Sequence, residues 1–261
     1  MLRKNSLFPI TLAFAANYPD PIHRNKWVME NSSGLQYSPD PHCLELLPRR
    51  IEPFVEWGIP IRFHTRYFEF ELGHADRELA DQALKKHMQT LTEIKDFAEP
   101  VVTVHTGLIN EYPVKEERII ENLSRLSEFA DKLGMVISLE NLRKGHAGDP
   151  CKVYEWAEVS GAMLTLDIGH ALGCFAVQSN AVALSEIVEL YAPRLCEVHI
   201  YGKEDDLGHH PITDINPLAQ SLKKLMQTDC NWWTIELSDP NEAISTRNII
   251  ETFFESCSAS G

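Results

Sequence analysis

Residues 119–140 read IIENLSRLSEFADKLGMVISLE and join an amphipathic segment to a short apolar one. Apolar side chains in the first part alternate at spacings of four and three, which predicts a helix with one buried face. They are Ile119, Leu123, Leu126, Ala130 and Leu133. The second part, residues 135–140, is too short for a good helix and reads as a strand that ends at Glu140. The same alternation of strand and helix recurs along the chain.

Seven short apolar runs are predicted to be strands. They lie at residues 10–16, 59–65, 101–106, 135–140, 163–167, 195–200 and 232–237. Amphipathic segments at residues 76–97 and 184–195 are predicted to be helices, as is the segment quoted above. Strands that alternate with helices pair in parallel, because each parallel pair needs a crossover connection. Strands that are apolar nearly throughout are covered on both faces.

These patterns predict an α/β fold, for which a closed (β/α) barrel and a doubly wound sheet both fit. An eight-stranded barrel needs one strand more than the seven predicted. The Pro-rich and polar segment 17–41 is where a strand or helix is missing or altered. Since no repeat or linker-like segment divides the chain, residues 1–261 are predicted to form a single domain.

The composition limits the classes of function. The 261 residues are 44% apolar and 24% charged, which is enough to bury a sizeable core. Lys and Arg number 24 against 38 Asp and Glu, so the net charge of −14 disfavours bulk binding to nucleic acid, although a local groove stays compatible with it. The six cysteines are scattered and form no C-x-x-C pair, which predicts a protein of the reducing cytoplasm. No apolar run reaches the roughly 18 residues that a membrane span needs, so no membrane-spanning segment is predicted. Nothing in these patterns indicates an oligomeric state.

Six predicted strands end in a side chain that can bind a metal or carry a proton. These residues are His64, His105, Glu140, Asp167, His199 and Glu236. The carboxyl ends of parallel barrel strands open on one face, so the six side chains are expected to converge there. Several carboxylates buried together need a compensating cation, and a divalent metal accepts both imidazole nitrogen and carboxylate oxygen. The sequence therefore predicts a metal site.

On these motifs the chain, from about residue 59 to residue 238, resembles the xylose isomerase-like barrel superfamily, which contains sugar isomerases, epimerases and the endonuclease IV type of abasic-site nuclease. The resemblance implies a TIM-type (β/α) barrel. In the epimerase branch it implies one divalent ion held by Glu140, Asp167, His199 and Glu236. The D-x-x-H motif that begins at Asp167 would place His170 beside the substrate or a second metal.

The nuclease branch keeps the same four ligands and adds others for a three-zinc cluster. His64 and His105 match two of them, although many isomerase-like members carry histidines there too. His170 and His209 match two ligands of the third zinc, but Leu207 replaces that site's aspartate. Thr213 and Asp214 replace a Gly-Glu pair of that branch. A third zinc would therefore have two protein ligands, too few for a firmly held ion.

The resemblance implies an isomerase or epimerase that acts on a sugar, sugar phosphate or related hydroxycarbonyl compound by enediolate proton transfer. Glu140 and Glu236 would be the acid and base, and His170 would act beside them. His209 would contact the substrate from a lid, or lie in an exposed turn. The cofactor would be one or two ions of Zn, Mn or Mg.

Other readings of the same residues stay open. The alternative enzyme is an abasic-DNA nuclease, with Tyr67 near the DNA, and a metal-binding barrel without turnover is a third candidate. Lys203 and Arg143 would bind a substrate phosphate or be ordinary loop cations. Trp232 and Trp233 are expected to pack, and the histidines without a strand-end position are treated as incidental. The latter are His23, His42, His74, His87 and His146.

Overall fold

The computed structural model describes residues 10–17, 22–107 and 113–258, except for the side chains of residues 22 and 23. Eight parallel strands close into a barrel. They are β1 (Thr11–Asn17), β2 (Gly34–Ser38), β3 (Ile61–Thr65), β4 (Val101–Val104), β5 (Val136–Glu140), β6 (Met163–Asp167), β7 (Leu195–Ile200) and β10 (Trp232–Ile235). A short antiparallel hairpin of β8 (Lys203–Asp205) and β9 (Gly208–His210) follows β7.

The α-helices of the described part surround this barrel. They are α1 (Ile22–Asn31), α2 (Leu47–Glu56), α3 (Arg77–Ile94), α4 (Glu116–Lys132), α5 (Pro150–Ser160), α6 (Ile168–Gly173), α7 (Phe175–Gln178), α8 (Leu184–Tyr191), α9 (Ala219–Leu225) and α10 (Pro240–Ser258). None of these helices, within the segments that the structure describes, is both long and apolar enough to cross a membrane. The predicted α/β barrel is confirmed, and the doubly wound sheet is wrong because β1 pairs with both β2 and β10.

The predicted helices form where the apolar spacing placed them. In α4 the side chains of Ile119, Leu123 and Leu126 are fully buried, as the spacing of four and three residues requires. Helix α3 begins one residue later than predicted because Asp76 is its N-cap. Its carboxylate accepts hydrogen bonds from the backbone N–H groups of Glu78 and Leu79.

The eighth strand lies in the segment where a strand was predicted to be missing or altered. Strand β2 pairs with β1 and β3, and α1 precedes it. The apolar pattern missed it because Gln36 and Ser38 interrupt the strand, yet both side chains are buried. Gly34 opens the strand, where a Cβ atom would lie 2.7 Å from the Trp232 ring, so no larger side chain fits without a shift.

The barrel interior is unusually polar. Six side chains, each from a different strand, are buried there and linked to one another through hydrogen bonds: Gln36, Arg62, Thr103, Thr165, Glu197 and Thr234. Buried polar groups are costly unless they are paired, and here each of them finds a partner across the barrel. This layer lies directly beneath the carboxyl ends of the strands, because Glu197 is two residues before His199 on β7.

His87 makes the stability of the fold sensitive to acid. Burial lowers its pKa from the ordinary 6.5 to about 4, so between these values the unfolded chain binds a proton that the folded chain does not. The free energy of unfolding should therefore decrease as the pH falls, by about 2 kcal/mol from pH 7.5 to pH 5 for this group. We expect His87→Gln to lose this part of the decrease in urea unfolding at the two pH values. An equal decrease in both proteins would contradict the assignment.

Candidate metal centre

Four side chains from four neighbouring barrel strands meet at the carboxyl ends of those strands. Glu140 ends β5, Asp167 ends β6, His199 lies near the end of β7, and Glu236 directly follows β10. One donor atom of each lies within 4.8 Å of the others, and all four residues are buried. His199 Nδ1 lies 3.3 Å from Glu140 Oε1, 3.6 Å from Glu236 Oε1 and 3.9 Å from Asp167 Oδ2. The imidazole thus faces all three carboxylates.

A second cluster shares Glu140 with the first. His64 is the second-last residue of β3 and His105 directly follows β4. Their Nε2 atoms lie 3.0 and 2.9 Å from Glu140 Oε2. The same two nitrogens are 3.0 Å apart. Glu140 therefore faces the four-residue cluster with Oε1 and the two histidines with Oε2. A carboxylate placed in this way can bridge two cations. The proximity of the three residues is expected, because they lie at the ends of neighbouring strands on one face of the barrel.

The donor atoms of the four-residue cluster fit a divalent cation. His199 Nδ1 and Glu140 Oε1 are buried and, among the described residues, have no hydrogen-bond partner. Unpaired buried polar atoms are rare in folded proteins and call for an ion or water. Three carboxylates and one imidazole are hard and borderline donors that suit Mg²⁺, Mn²⁺ or Zn²⁺, and the cation would offset their buried negative charge.

Protons compensate for that charge when no cation is bound. Burial lowers the pKa of His199, but Glu236 and Glu140 more than offset this and raise it well above its usual value. Burial also raises the pKa of Asp167 to about 6, and the charge of Glu140 adds to that shift. Burial lowers the pKa of His105 to about 4, despite the nearby Glu140. A cation that binds the four residues must displace the proton of His199 and, below about pH 6, that of Asp167, so its affinity is expected to weaken as the pH falls.

The D-x-x-H segment is fixed by backbone contacts. Asp167 caps α6 by accepting a hydrogen bond from the His170 backbone N–H at 2.7 Å. His170 Nδ1 lies 2.9 Å from the Asn141 carbonyl oxygen, and the Tyr201 hydroxyl donates to Asp167 Oδ2 at 3.0 Å. The sequence patterns missed Asn141 and Tyr201, although each directly follows a strand that ends at the site. These contacts orient Asp167 toward the cluster and His170 toward its rim.

The structure corrects the expectation that a third cation site would have two protein ligands. Glu204, on β8, joins His170 and His209 in a cluster whose donor atoms lie within 4.8 Å of one another. Its Oε2 is 3.5 Å from His170 Nε2, while Leu207 is 90% exposed at the hairpin tip. The hairpin places Glu204, three residues before Leu207, beside His170, so this cluster has three candidate ligands.

His209 lies on the rim rather than in an exposed turn. Its Nδ1 is 2.8 Å from the backbone carbonyl oxygen of Glu236, and its ring stacks on Tyr201 with 3.9 Å between centroids. The two loop cations considered for phosphate binding are already paired. Arg143 contacts Glu204 at 3.0 Å and Asp206 at 2.8 Å, and the exposed Lys203 lies 3.5 Å from Asp205.

Other candidate residues lie away from these clusters. Tyr67 is buried, and its hydroxyl hydrogen bonds to Thr90 at 2.9 Å, so it offers no surface to a DNA strand. Trp233 packs against Phe254, and Trp232 lies beneath Arg62. The incidental histidines with described side chains join none of the metal-type clusters, and the His23 side chain lies outside the described part. Asp214 accepts a hydrogen bond from the Asn216 backbone in a loop.

The second cluster yields a direct test. In His64→Ala/His105→Ala, Glu140 loses both imidazole partners on its Oε2 side, so the protein is expected to bind one ion fewer per chain while the four-residue site keeps its ligands. Metal content by plasma mass spectrometry checks this. His87→Ala is a matched control, because it also removes a buried imidazole but leaves both clusters intact. Unchanged metal content together with unchanged kinetics would show that His64 and His105 are core histidines.

Comparison with known families and proteins agrees with this architecture. The family described as xylose isomerase-like TIM barrel matches residues 36–253. The uncharacterized protein MJ0008 of Methanocaldococcus jannaschii is 31% identical over 154 residues, which are 59% of this chain and 66% of that protein. The aligned region thus spans just under two thirds of that relative.

Solved structures with the same fold include proteins of two activities. A D-tagatose 3-epimerase-like protein has a TM-score of 0.74 at 18% identity, over 96% of this chain and 99% of that one. An L-ribulose 3-epimerase has a TM-score of 0.76 at 14% identity, over 96% of each chain. Endonuclease IV from Thermus thermophilus has a TM-score of 0.65 at 14% identity, over 94% of this chain and 99% of that one. At these identities the similarity shows the fold.

Proposed function

This chain belongs to the xylose isomerase-like TIM-barrel family, and we propose that it is a divalent-metal-dependent isomerase or epimerase. Its substrate would be a sugar, a sugar phosphate or a related hydroxycarbonyl compound. The observation that carries the proposal is the convergence of Glu140, Asp167, His199 and Glu236 within 4.8 Å at the carboxyl ends of four barrel strands.

Bound to these four residues, a divalent ion would supply positive charge to stabilise the enediolate that forms when a proton leaves the carbon beside a carbonyl group. Glu236 is better placed than Glu140 to carry that proton. Both oxygens of Glu140 face histidines, at 2.9 to 3.4 Å. Among the described residues, the ionisable side chain that contacts Glu236 Oε2 is His209, whose Nδ1 lies 4.0 Å away and already faces a backbone carbonyl. Glu236 Oε2 can therefore accept and return a proton.

The rim histidines would orient the substrate. Nδ1 of both His170 and His209 lies against a backbone carbonyl, so Nε2 of each ring is the nitrogen that would face hydroxyl groups of a bound sugar. Nε2 of His170 would share this role with Glu204, whose Oε2 lies 3.5 Å away. His64 and His105 would hold a second ion against Glu140, or contact further hydroxyl groups. Metal preference would differ between the two positions, since carboxylates suit Mn²⁺ or Mg²⁺ and imidazoles suit Zn²⁺.

Proton exchange tests the proposed reaction. The full chain is incubated in heavy water with ketoses, aldoses and their phosphates, and nuclear magnetic resonance detects loss of the proton beside the carbonyl group. We expect exchange in at least one compound, its loss after chelation, and its return with Mn²⁺ or Mg²⁺. Metal content per chain is measured on the same sample. Absence of exchange in the whole panel with a metal-loaded protein would contradict an isomerase or epimerase acting on these compounds.

Hydrolysis of a phosphodiester at an abasic DNA site is a second candidate function. The His170, Glu204 and His209 cluster favours it, because a third cation position would suit a phosphate with several negative oxygens. The net charge of −14 and the ion pairs of Arg143 argue against it. Chelator-sensitive incision of an abasic duplex, without proton exchange in the sugar panel, would establish the hydrolytic function in place of the first.

A further inference from the structure

The buried carboxylate of Glu197 lies directly beneath His199 but faces away from the candidate metal centre. Both residues are on β7 and are fully buried. Glu197 Oε1 lies 3.5 Å from His199 Nε2, while His199 Nδ1 faces the three carboxylates of the four-residue cluster. The imidazole ring therefore separates Glu197 from the position of a cation.

Glu197 is held rigidly by partners from four other strands. Its Oε1 accepts hydrogen bonds from Gln36 at 2.6 Å and from the Thr234 hydroxyl at 2.9 Å. Its Oε2 lies 3.3 Å from the Thr103 hydroxyl and 3.4 Å from Arg62 Nη1. The guanidinium of Arg62 is itself fixed by the Cys196 carbonyl oxygen and the Trp232 ring. A carboxylate with this many donors keeps its negative charge and its orientation in the barrel interior.

His199 can bind a cation through Nδ1 only if its proton is on Nε2. The Gln36 side-chain nitrogen, 2.6 Å from His199 Nε2, cannot accept that proton, since an amide nitrogen is a donor. Its N–H instead favours the opposite tautomer, in which Nδ1 carries the proton and blocks the cation. Glu197 Oε1 is the carboxylate oxygen that faces Nε2, and it can accept the proton there. The two neighbours of His199 Nε2 thus have opposite effects on cation binding.

We propose that Glu197 is a positioning residue that holds His199 in its cation-binding tautomer. The inference rests on the proposed metal-dependent function. Mutation of a carboxylate that accepts a hydrogen bond from the second N–H of a metal-binding histidine typically lowers metal affinity 10- to 100-fold. Glu197 would contribute to binding without contacting either the ion or the substrate. Arg62 would act through Glu197 in turn, by keeping that carboxylate charged at the centre of the barrel.

Metal affinity measured on the full chain tests the proposal. Apoprotein is titrated with Mn²⁺ and with Zn²⁺ in competition with a chelator. We expect Glu197→Gln to weaken binding at least tenfold. Gln36→Met should weaken binding much less than Glu197→Gln, because it removes one of the four donors to Glu197 but also the donor that favours the blocking tautomer. Thr103→Val is the matched control, since it removes a donor to the Glu197 oxygen that points away from His199, and a change of less than about threefold is expected.

Arg62→Met/Glu197→Leu keeps the test valid if Glu197→Gln does not fold, since apolar pairs of similar volume often replace buried ion pairs without loss of stability. This double variant should bind metal as weakly as expected for Glu197→Gln. Nuclear magnetic resonance of the zinc-loaded wild type, labelled with ¹⁵N-histidine, should show the His199 proton on Nε2.

The outcomes separate the positioning role from the proposed function. Wild-type affinity in folded Glu197→Gln, or equal weakening in Glu197→Gln and Gln36→Met, would overturn the positioning role alone. A wild-type protein that binds no divalent ion would overturn both the positioning role and metal-dependent catalysis. Tenfold weaker metal binding in Glu197→Gln, combined with no proton exchange by wild type, would support the positioning role and contradict the proposed reaction.

Discussion

Glu140→Ala is expected to lose ions from both clusters that share this carboxylate and to lower kcat by at least about 10³, because a bound ion contributes several kcal/mol to transition-state stabilisation. Glu140 faces the four-residue cluster with Oε1 and the two histidines with Oε2, so no other described side chain serves both. Removing it leaves the first cluster with three ligands and the second with two imidazoles. Each ion loses a negatively charged ligand and is expected to bind more weakly, and the loss is larger for the ion with two ligands. Metal content by mass spectrometry and the rate of proton exchange are measured on the same preparation.

Glu71→Gln provides the control for loss of a buried glutamate. Glu71 is also buried, but its carboxylate binds the Thr106 hydroxyl and the backbone N–H groups of Gly73 and Gly107 instead of a metal-type cluster. Its replacement is expected to lower the melting temperature while metal content stays at the wild-type level. If Glu140→Ala retained its full metal content, the shared-carboxylate arrangement would be wrong.

The strand pattern could predict most of the barrel because the outer faces of parallel strands pack under helices. All seven apolar runs correspond to strands of the barrel. The apolar pattern did not predict strand β2 because the interior of this barrel is polar. Gln36 of this strand faces inward and contacts Glu197 and His199 instead of apolar side chains. A rule that identifies buried strands by continuous apolarity fails where the buried face carries hydrogen-bonding groups.

The candidate site could be predicted to the extent that it is built on strand ends. The chain order of the strands and their parallel direction bring His64, His105 and Glu140 together without any knowledge of loops. Glu204 could not be found in this way, because its position depends on how the β8–β9 hairpin folds back over His170. The position of Glu197 could have been predicted from the sequence. Side chains two residues apart on a strand point to the same face, so Glu197 and His199 both face the barrel interior.

The polar interior also connects the fold to the site. Arg62, Glu197 and His199 form a chain of contacts from the Trp232 ring to the three carboxylates at the strand ends. A barrel with a wholly apolar interior would be simpler to stabilise, since buried ion pairs contribute little net stability. The location of this chain of contacts beneath the candidate metal centre is consistent with a role in orienting His199.

Glu236→Gln is expected to separate proton transfer from metal binding. The amide keeps the size of the side chain and one oxygen that can bind a metal, but its other end cannot accept a proton at the position of Glu236 Oε2. With Mn²⁺ or Mg²⁺ at saturating concentration, kcat for proton exchange should fall by about 10²–10⁴, the range typical of a general acid or base. KM should change much less, since a group that acts in the transition state contributes little to binding of the ground state.

Two comparisons make this result specific to Glu236. Glu242→Gln removes a carboxylate from an exposed position in the first turn of α10, and it should leave kcat at the wild-type value. Metal content of Glu236→Gln at saturation should match wild type, so that a lower kcat is not explained by loss of the ion. Normal turnover by metal-loaded Glu236→Gln would exclude Glu236 as the proton carrier and would leave Glu140 as the carboxylate that has to fill that role. In that case Glu140 could not keep both oxygens engaged during the reaction, Oε2 by His64 and His105 and Oε1 by His170 and His199. An oxygen that accepts the proton must first be free of its imidazole partners.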